Sequence, residues 1–396
     1  MLNVLTLPLD RPTNCTAIPC LATDSAMHWR CQSANVRSCS SQHIACVPAT
    51  AVASRGLVVF LPGTGLTPHD YSALVADFSL HGFHSLGLFY PSGEGQNGCG
   101  RSRTAAPTDL NCTARERARV LTGDATHGPT STNITFPDSI VSRVSTALRF
   151  LGAPWSGYLD SATQRPRWRD VIIAGHSNGA DHAAFLAKSF RVSRALLFSG
   201  PNDYVGESKY GTYSSPAPWQ FAAGATPASE LYGFGLCGHL PSGGAMPECF
   251  DWQAGWGAQG LPNPWLRVDS VMGDAAAMSG FHRLCSNGSR VTHGDMHMAA
   301  AADCCAPRRR DGRLLWTSVV EHMLADATVD PWVSRRGSFL ASVGLRPAVL
   351  HVGAATNGTC ACAWSHRGVW TLDRERSGGG SSPGDRFSTP TLAMGG

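Results

Sequence analysis

Three observations predict an α/β fold with a mostly parallel central sheet and helices on both faces. Short apolar, β-branched runs such as GLVVFLPG at Gly56–Gly63 and RALLFS at Arg194–Ser199 read as strands buried on both sides. Amphipathic or alanine-rich segments at helical spacing separate them, the alternation that a parallel sheet requires. The run VIIAGHSNGA at Val171–Ala180 then passes from strand through a glycine-flanked turn into a helix.

Residues 1–50 carry five cysteines, few large apolar side chains and no sustained periodicity, so they are expected to form a disulfide-tied extension packed on the main domain. The main domain is expected over residues 51–330, opening with the strand Gly56–Gly63, an amphipathic segment Pro68–His81 and a second strand Ser85–Tyr90. A helix at Asp138–Leu151 precedes the strand at Val171, and DHAAFLAKSF at Asp181–Phe190 is the helix that follows it. Later strands are expected at Arg194–Ser199, Glu230–Leu236 and Trp265–Val271, and the last helix at Leu314–Ala325. Residues 331–396 form a C-terminal extension, with Cys360 and Cys362 in a small tied element and a tail from Ser377 whose Gly, Ser and Pro content predicts disorder.

Two regions exceed ordinary loop length: Pro91–Pro137, and Asn202–Ser229 together with Cys237–Pro264. Long loops at the carboxyl ends of strands commonly build the pocket of such folds. Trp219, Phe221, Phe250, Trp252, Trp256 and Trp265 lie in or beside the second region, either lining an apolar cleft or forming a lid packed on its own aromatics.

Composition narrows the function. An apolar content of 43% over 396 residues supports a substantial core. The net charge of +4 comes from scattered arginines with no basic stripe, which argues against nucleic acid. Arg308, Arg309, Arg310 and Arg313 make the one dense cluster and read as a solvated loop. No run of 18 apolar residues is present, so a transmembrane span is not expected.

Fourteen cysteines and N-x-S/T sequons at Asn14, Asn111, Asn133, Asn287 and Asn357 both point to the secretory route, with disulfides and N-glycosylation. The first residues, MLNVLTLPLDRPTNCT, lack the basic and apolar regions of a signal peptide, so the leader is expected to be missing from this sequence.

Gly175, His176, Ser177, Asn178 and Gly179 fit G-x-S-x-G, which places a serine on a sharp strand-to-helix turn with its hydroxyl above the sheet. Side chains at the two glycine positions would clash with the neighbouring strand and helix. A base must follow later in the chain, in the order serine, acid, histidine. His239, His282, His293, His297 and His322 come late enough; His297 is favoured, with His293 as the alternative. The spacing of His293 and His297 also invites a metal site, but Gly294 stands where H-E-x-x-H has its glutamate, so neither metal nor cofactor is expected. The acid is Asp203, after the strand at Arg194, with Asp251 or Glu248 as alternatives. The oxyanion donors are the backbone N–H groups of Asn178 and of Thr64 in LPGTG, with Gly65 able to replace Thr64.

With LPGTG at Leu61–Gly65, GHSNGADHAA at Gly175–Ala184, LLFSGPNDY at Leu196–Tyr204, HMAAAAD at His297–Asp303 and Trp168 before the serine strand, the chain resembles the α/β-hydrolase superfamily over roughly residues 55–328. Within it, the likeness is to secreted esterase- or lipase-like members with a serine motif of the GHSQGAGHAA kind. The resemblance implies Ser177 as nucleophile, His297 as base, and a small-molecule or lipid-like ester as substrate. A non-catalytic member that binds a ligand in an aromatic-lined pocket is the alternative.

Overall fold

The computed structural model describes residues 14–19, 42–48, 54–93, 99, 109–124, 126, 132–205, 215–236, 247–268, 270–271, 275–286, 315–325, 327, 362–364 and 370–372. Its centre is a nine-stranded sheet, in the order β1-β2-β4-β3-β5-β6-β9-β11-β10. The strands are β1 (Asn14–Pro19), β2 (Gln42–Val47), β3 (Leu57–Leu61), β4 (His84–Gly87), β5 (Val171–His176), β6 (Arg194–Phe198), β9 (Leu231–Leu236), β10 (Trp265–Arg267) and β11 (Arg283–Ser286). Within this sheet β2 runs antiparallel to both its neighbours, and the pairs from β4 to β10 are parallel. Tyr204–Val205 (β7) and Ser215–Pro216 (β8) form a separate short antiparallel pair, as do Cys362–Trp364 (β12) and Trp370–Leu372 (β13).

Alternation along the central strands divides the core into two layers. Val171 and Ile173 of β5, with Leu57, Val59 and Leu61 of β3, face one layer. That layer is closed by α2 (Cys112–Thr122), α3 (Ile140–Leu151), α4 (Asn178–Ser189), the short α5 (Pro218–Phe221) and α6 (Pro247–Ala258). Ile172, Ala174, Val58 and Phe60 face the other, closed by α1 (Ser72–Leu80), the short α7 (Ala275–Met278) and α8 (Leu315–Leu324). Ser139 starts α3 by accepting the Ser142 N–H at 3.3 Å, a normal side-chain cap. No helix among the described residues is long and apolar enough to cross a membrane.

The central elements lie where their sequence patterns put them, but the edges of the sheet differ. β1 and β2 fall within residues 1–50, so this segment extends the central sheet instead of only packing on it. Their buried side chains, Cys15, Ala17, Ile18, Ile44, Ala45 and Cys46, are mostly small, which hides the strand pattern. A disulfide joins Cys15 to Cys46 straight across this pair. Helix α2 lies within the expected loop Pro91–Pro137, and a second disulfide ties its first residue, Cys112, to Cys99. The expected strand Trp265–Val271 shortens to the edge strand β10, and β11 is inserted between it and β9.

The aromatics of the long loop are core, not cleft, at three positions. Trp219, Trp252 and Trp256 are buried. Trp252 and Trp256 pack edge to face on β9, where a Cβ at Gly235 would sit 1.2 Å from the Trp252 ring. Phe221 and Trp265 are exposed, and the side chain of Phe250 lies outside the described residues.

Candidate active site

β5 ends at His176, and the chain reverses into α4 through Ser177, whose φ of 55° and ψ of −124° lie in a region that non-glycine residues rarely occupy. Such a conformation costs about 1–3 kcal/mol and persists only where its surroundings hold it. Three bonds do so: the Ser177 N–H donates to the Phe198 carbonyl at 2.9 Å, and the Ser177 carbonyl accepts from Ala180 at 2.8 Å and Asp181 at 3.1 Å. The two motif glycines are required by space. A Cβ on Gly175 would lie 2.2 Å from the Gly179 carbonyl oxygen, and one on Gly179 would lie 2.0 Å from that of Leu61.

This close approach sets α4 directly against the loop that carries the second expected oxyanion donor. After Leu61 and Pro62 the chain turns through Gly63–Leu66, closed by a Leu66 N–H to Gly63 carbonyl bond of 3.1 Å, with Gly65 at φ +70°. Positive φ at the third residue of a turn fits glycine. Thr64 and Gly65 are exposed at its tip, and Asn178 is the first residue of α4. Ser177, Asn178 and Thr64 are thus brought to one end of the sheet, the carboxyl end of its strands.

Beneath the first turn of α4 lies a residue that no sequence motif marks. Arg117 of α2 is fully buried and spends all five of its N–H groups. Its Nε and Nη2 donate to the two oxygens of Asp203 at 3.0 and 2.7 Å, and Nη2 also donates to Asp181 at 2.7 Å. Nη1 donates to the Asn178 side-chain oxygen and to Nε2 of His182, the latter at 3.0 Å. The Asn178 amide in turn donates to the Ser92 carbonyl at 2.6 Å. Burial, and then the Arg117 charge, push His182 well below its usual range, so it is a neutral acceptor here.

Asp203 follows β6, as expected for an acid after that strand, but its carboxylate faces Arg117 and also accepts from the Trp219 indole at 3.1 Å. Asp251 lies in α6, its side chain outside the described residues, as does that of Glu248. His293 and His297 lie outside the described residues, as do the arginines at 308–313. Both histidines come after β11 in chain order. His282 and His322 are committed elsewhere: His282 stacks on Tyr232 beside the start of β11, and His322 Nε2 pairs with the Phe281 carbonyl at 2.9 Å. Of the sequons, Asn111 and Asn133 are exposed, the Asn14 side chain is undescribed though its backbone is in β1, and Asn287 and Asn357 lie outside the described residues.

A groove of about 890 Å³ runs between α2 and the far end of α4, with Phe185, Phe190 and Trp168 on its walls. Its α4 lining, Phe185 and Ser189, lies in the part of that helix remote from Ser177.

No family model and no curated protein matches the chain. Among solved structures it is similar to TT1662 from Thermus thermophilus, at 16% identity over 72% of this chain and 94% of that one, with a TM-score of 0.35. An esterase from the archaeon Pyrobaculum calidifontis matches at 12% identity over 72% and 82%, TM-score 0.36. The butyrate-bound esterase 2 of Thermogutta terrifontis matches at 15% identity over 76% and 91%, TM-score 0.33. What decides the fold is the chain's own topology: one reversed strand near the edge, a crossover that puts β4 outside β3, and a left-handed serine where β5 meets its helix make this an α/β-hydrolase fold.

Proposed function

We propose that this chain is a secreted serine hydrolase that cleaves a carboxylic ester, with Ser177 as the nucleophile. The observation that carries the reading is the Ser177 backbone, held at φ 55° by glycines that admit no side chain. Strain of this kind is kept where the strained residue has work to do. In this reading the Ser177 hydroxyl attacks the ester carbonyl as His297, or His293 in its place, takes the proton. The Asn178 and Thr64 N–H groups receive the charge that develops on the carbonyl oxygen. The same histidine then protonates the departing alcohol, and water releases the acyl group by the reverse sequence.

The Arg117 contacts of Asp203 favour, in this reading, an orienting acid in the segment after β9, Asp251 or Glu248, over Asp203. The paired carboxylate also supports a second reading, a hydrolase fold that binds its ligand without turnover. The disulfides and the exposed sequons at Asn111 and Asn133 support the secretory compartment. Labelling of folded protein with a fluorophosphonate probe, with Ser177→Ala as control, separates the two readings. Stoichiometric labelling that the control abolishes is expected; an unlabelled native chain sinks the hydrolase reading.

A further inference from the structure

We propose that Tyr71 is a positioning residue that fixes the oxyanion turn to the nucleophile strand through its hydroxyl. The inference rests on the hydrolase reading above. Tyr71 is fully buried at the start of α1, and its ring packs on Phe60 of β3 at 4.8 Å between centroids. The hydroxyl accepts the Gly63 N–H at 3.3 Å and stands 2.6 Å from Nδ1 of His176. With that nitrogen unprotonated, the hydroxyl donates to it, so one oxygen bridges two segments.

Those two segments carry the chemistry. Gly63 opens the turn that presents Thr64 and Gly65, and His176 is the residue before Ser177. β3 and β5 are already paired up to Leu61 and Gly175, but the ladder ends there, and both chains then leave the sheet. Tyr71 supplies the next tie beyond the ladder. A Cβ on Gly63 would lie 3.1 Å from the Tyr71 oxygen and 3.2 Å from His176 Nδ1, so the three groups are in close contact. Burial holds the phenol well above its ordinary range, which keeps the hydroxyl protonated and the tie intact at working pH.

An oxyanion donor is useful only within about 2.7–3.1 Å of where the charge forms, and fixed donors need no rearrangement when it does. Loss of the tie should therefore fall on the chemical step. Tyr71→Phe keeps the ring and removes the oxygen. Steady-state hydrolysis of p-nitrophenyl butyrate by the intact chain should show kcat reduced roughly tenfold or more with KM changed less than about twofold, since the donor is displaced but not deleted. The rate of fluorophosphonate labelling at Ser177 should fall by a similar factor.

Gly63→Ala gives an independent probe, because its methyl group presses on the same oxygen. It should also lower kcat selectively, and the Tyr71→Phe, Gly63→Ala double variant should be no slower than the worse single one, since each removes the same tie. A folded Tyr71→Phe protein with kcat within twofold of the native value, or losses that multiply in the double variant, overturns the proposal. If the native chain is labelled and these variants are labelled equally fast, only the role of Tyr71 fails; if the native chain is not labelled at all, both readings fail.

Discussion

Arg117 and Asp203 meet in a two-point ion pair, Nε to Oδ2 at 3.0 Å and Nη2 to Oδ1 at 2.7 Å, directly beneath the first turn of α4. Asp181 shares the same guanidinium, so one cation faces two buried carboxylates. Asp181 has further support: it lies in the first turn of α4, where the helix dipole favours negative charge, and it accepts the Asn202 N–H at 2.6 Å. The cluster ties α2, the elbow and the loop after β6 into one unit.

Removing the shared cation is therefore expected to cost more than removing either anion. Arg117→Met leaves two carboxylates buried without their partner and should lower stability by about 3–5 kcal/mol. Asp203→Asn keeps a hydrogen-bonding side chain and leaves Arg117 paired with Asp181, so about 2 kcal/mol is expected. Urea midpoints measure both. If Asp203 is a structural counter-ion, the folded Asp203→Asn protein should still be labelled at Ser177 at nearly the native rate. Asp251→Asn, in contrast, should lose kcat by about three orders of magnitude or more. The opposite pattern would return Asp203 to the triad.

The sequence shows the centre of this fold more clearly than its edges, and the reason is visible in particular residues. LVVFL in β3 and VIIAGH in β5 are buried on both faces, so their continuous apolar runs stand out. α2 was hidden because its buried face carries Glu116 and Arg117 beside Val120 and Leu121, which reads as a polar stretch. Spacing alone held a clue there: Thr113, Glu116, Arg117, Val120 and Leu121 recur at helical intervals. At the site, the serine is legible because its glycines are forced by close approach. Asp203 is legible as a position after a strand but not by its partner, since an ion pair with Arg117, 86 residues earlier, leaves no local pattern.

Acid should destabilise the protein through its buried histidines. Burial, with a smaller push from Arg143, lowers His43 to about 3, and its Nδ1 accepts the Phe89 N–H at 2.9 Å. Burial lowers His84 to about 4, while His182 lies well below its usual range beside Arg117. Unfolded, each would titrate near 6.5. Between that value and the folded one, the unfolded chain binds the extra proton, so stability is complete above pH 6.5 and falls as pH drops. The slope is about 1.4 kcal/mol per pH unit for each histidine in its window. Urea midpoints at pH 7.5, 6 and 5 should fall progressively, and His84→Asn should make the decline shallower. A midpoint that stays level from pH 7.5 to 5 contradicts this account.

The Cys15–Cys46 disulfide closes a separation of 31 residues and joins the two strands that complete one edge of the sheet. Loop-closure entropy alone gives such a link about 3–4 kcal/mol. Cys15→Ser with Cys46→Ser should lower the urea midpoint accordingly while leaving Ser177 open to labelling, because β1 and β2 lie across β4 and β3 from β5. Equal loss of labelling and stability would mean that the edge strands reach the site in a way the sheet order does not convey.

Ser177 offers the last test, because its strain separates function from stability within one position. At φ 55° and ψ −124° a side chain costs about 1–3 kcal/mol, and glycine relieves this at an unfolded-state cost of about 0.4–1 kcal/mol. Ser177→Gly should therefore be more stable than the native chain by roughly 1 kcal/mol, whereas Ser177→Ala keeps the Cβ and most of the strain. Neither should react with a fluorophosphonate. Thermal or urea denaturation of the two variants side by side reads the difference directly. A Ser177→Gly protein less stable than Ser177→Ala would mean that the elbow stores too little strain to offset the added chain entropy of glycine, and the main structural support for a nucleophile at this position would be lost.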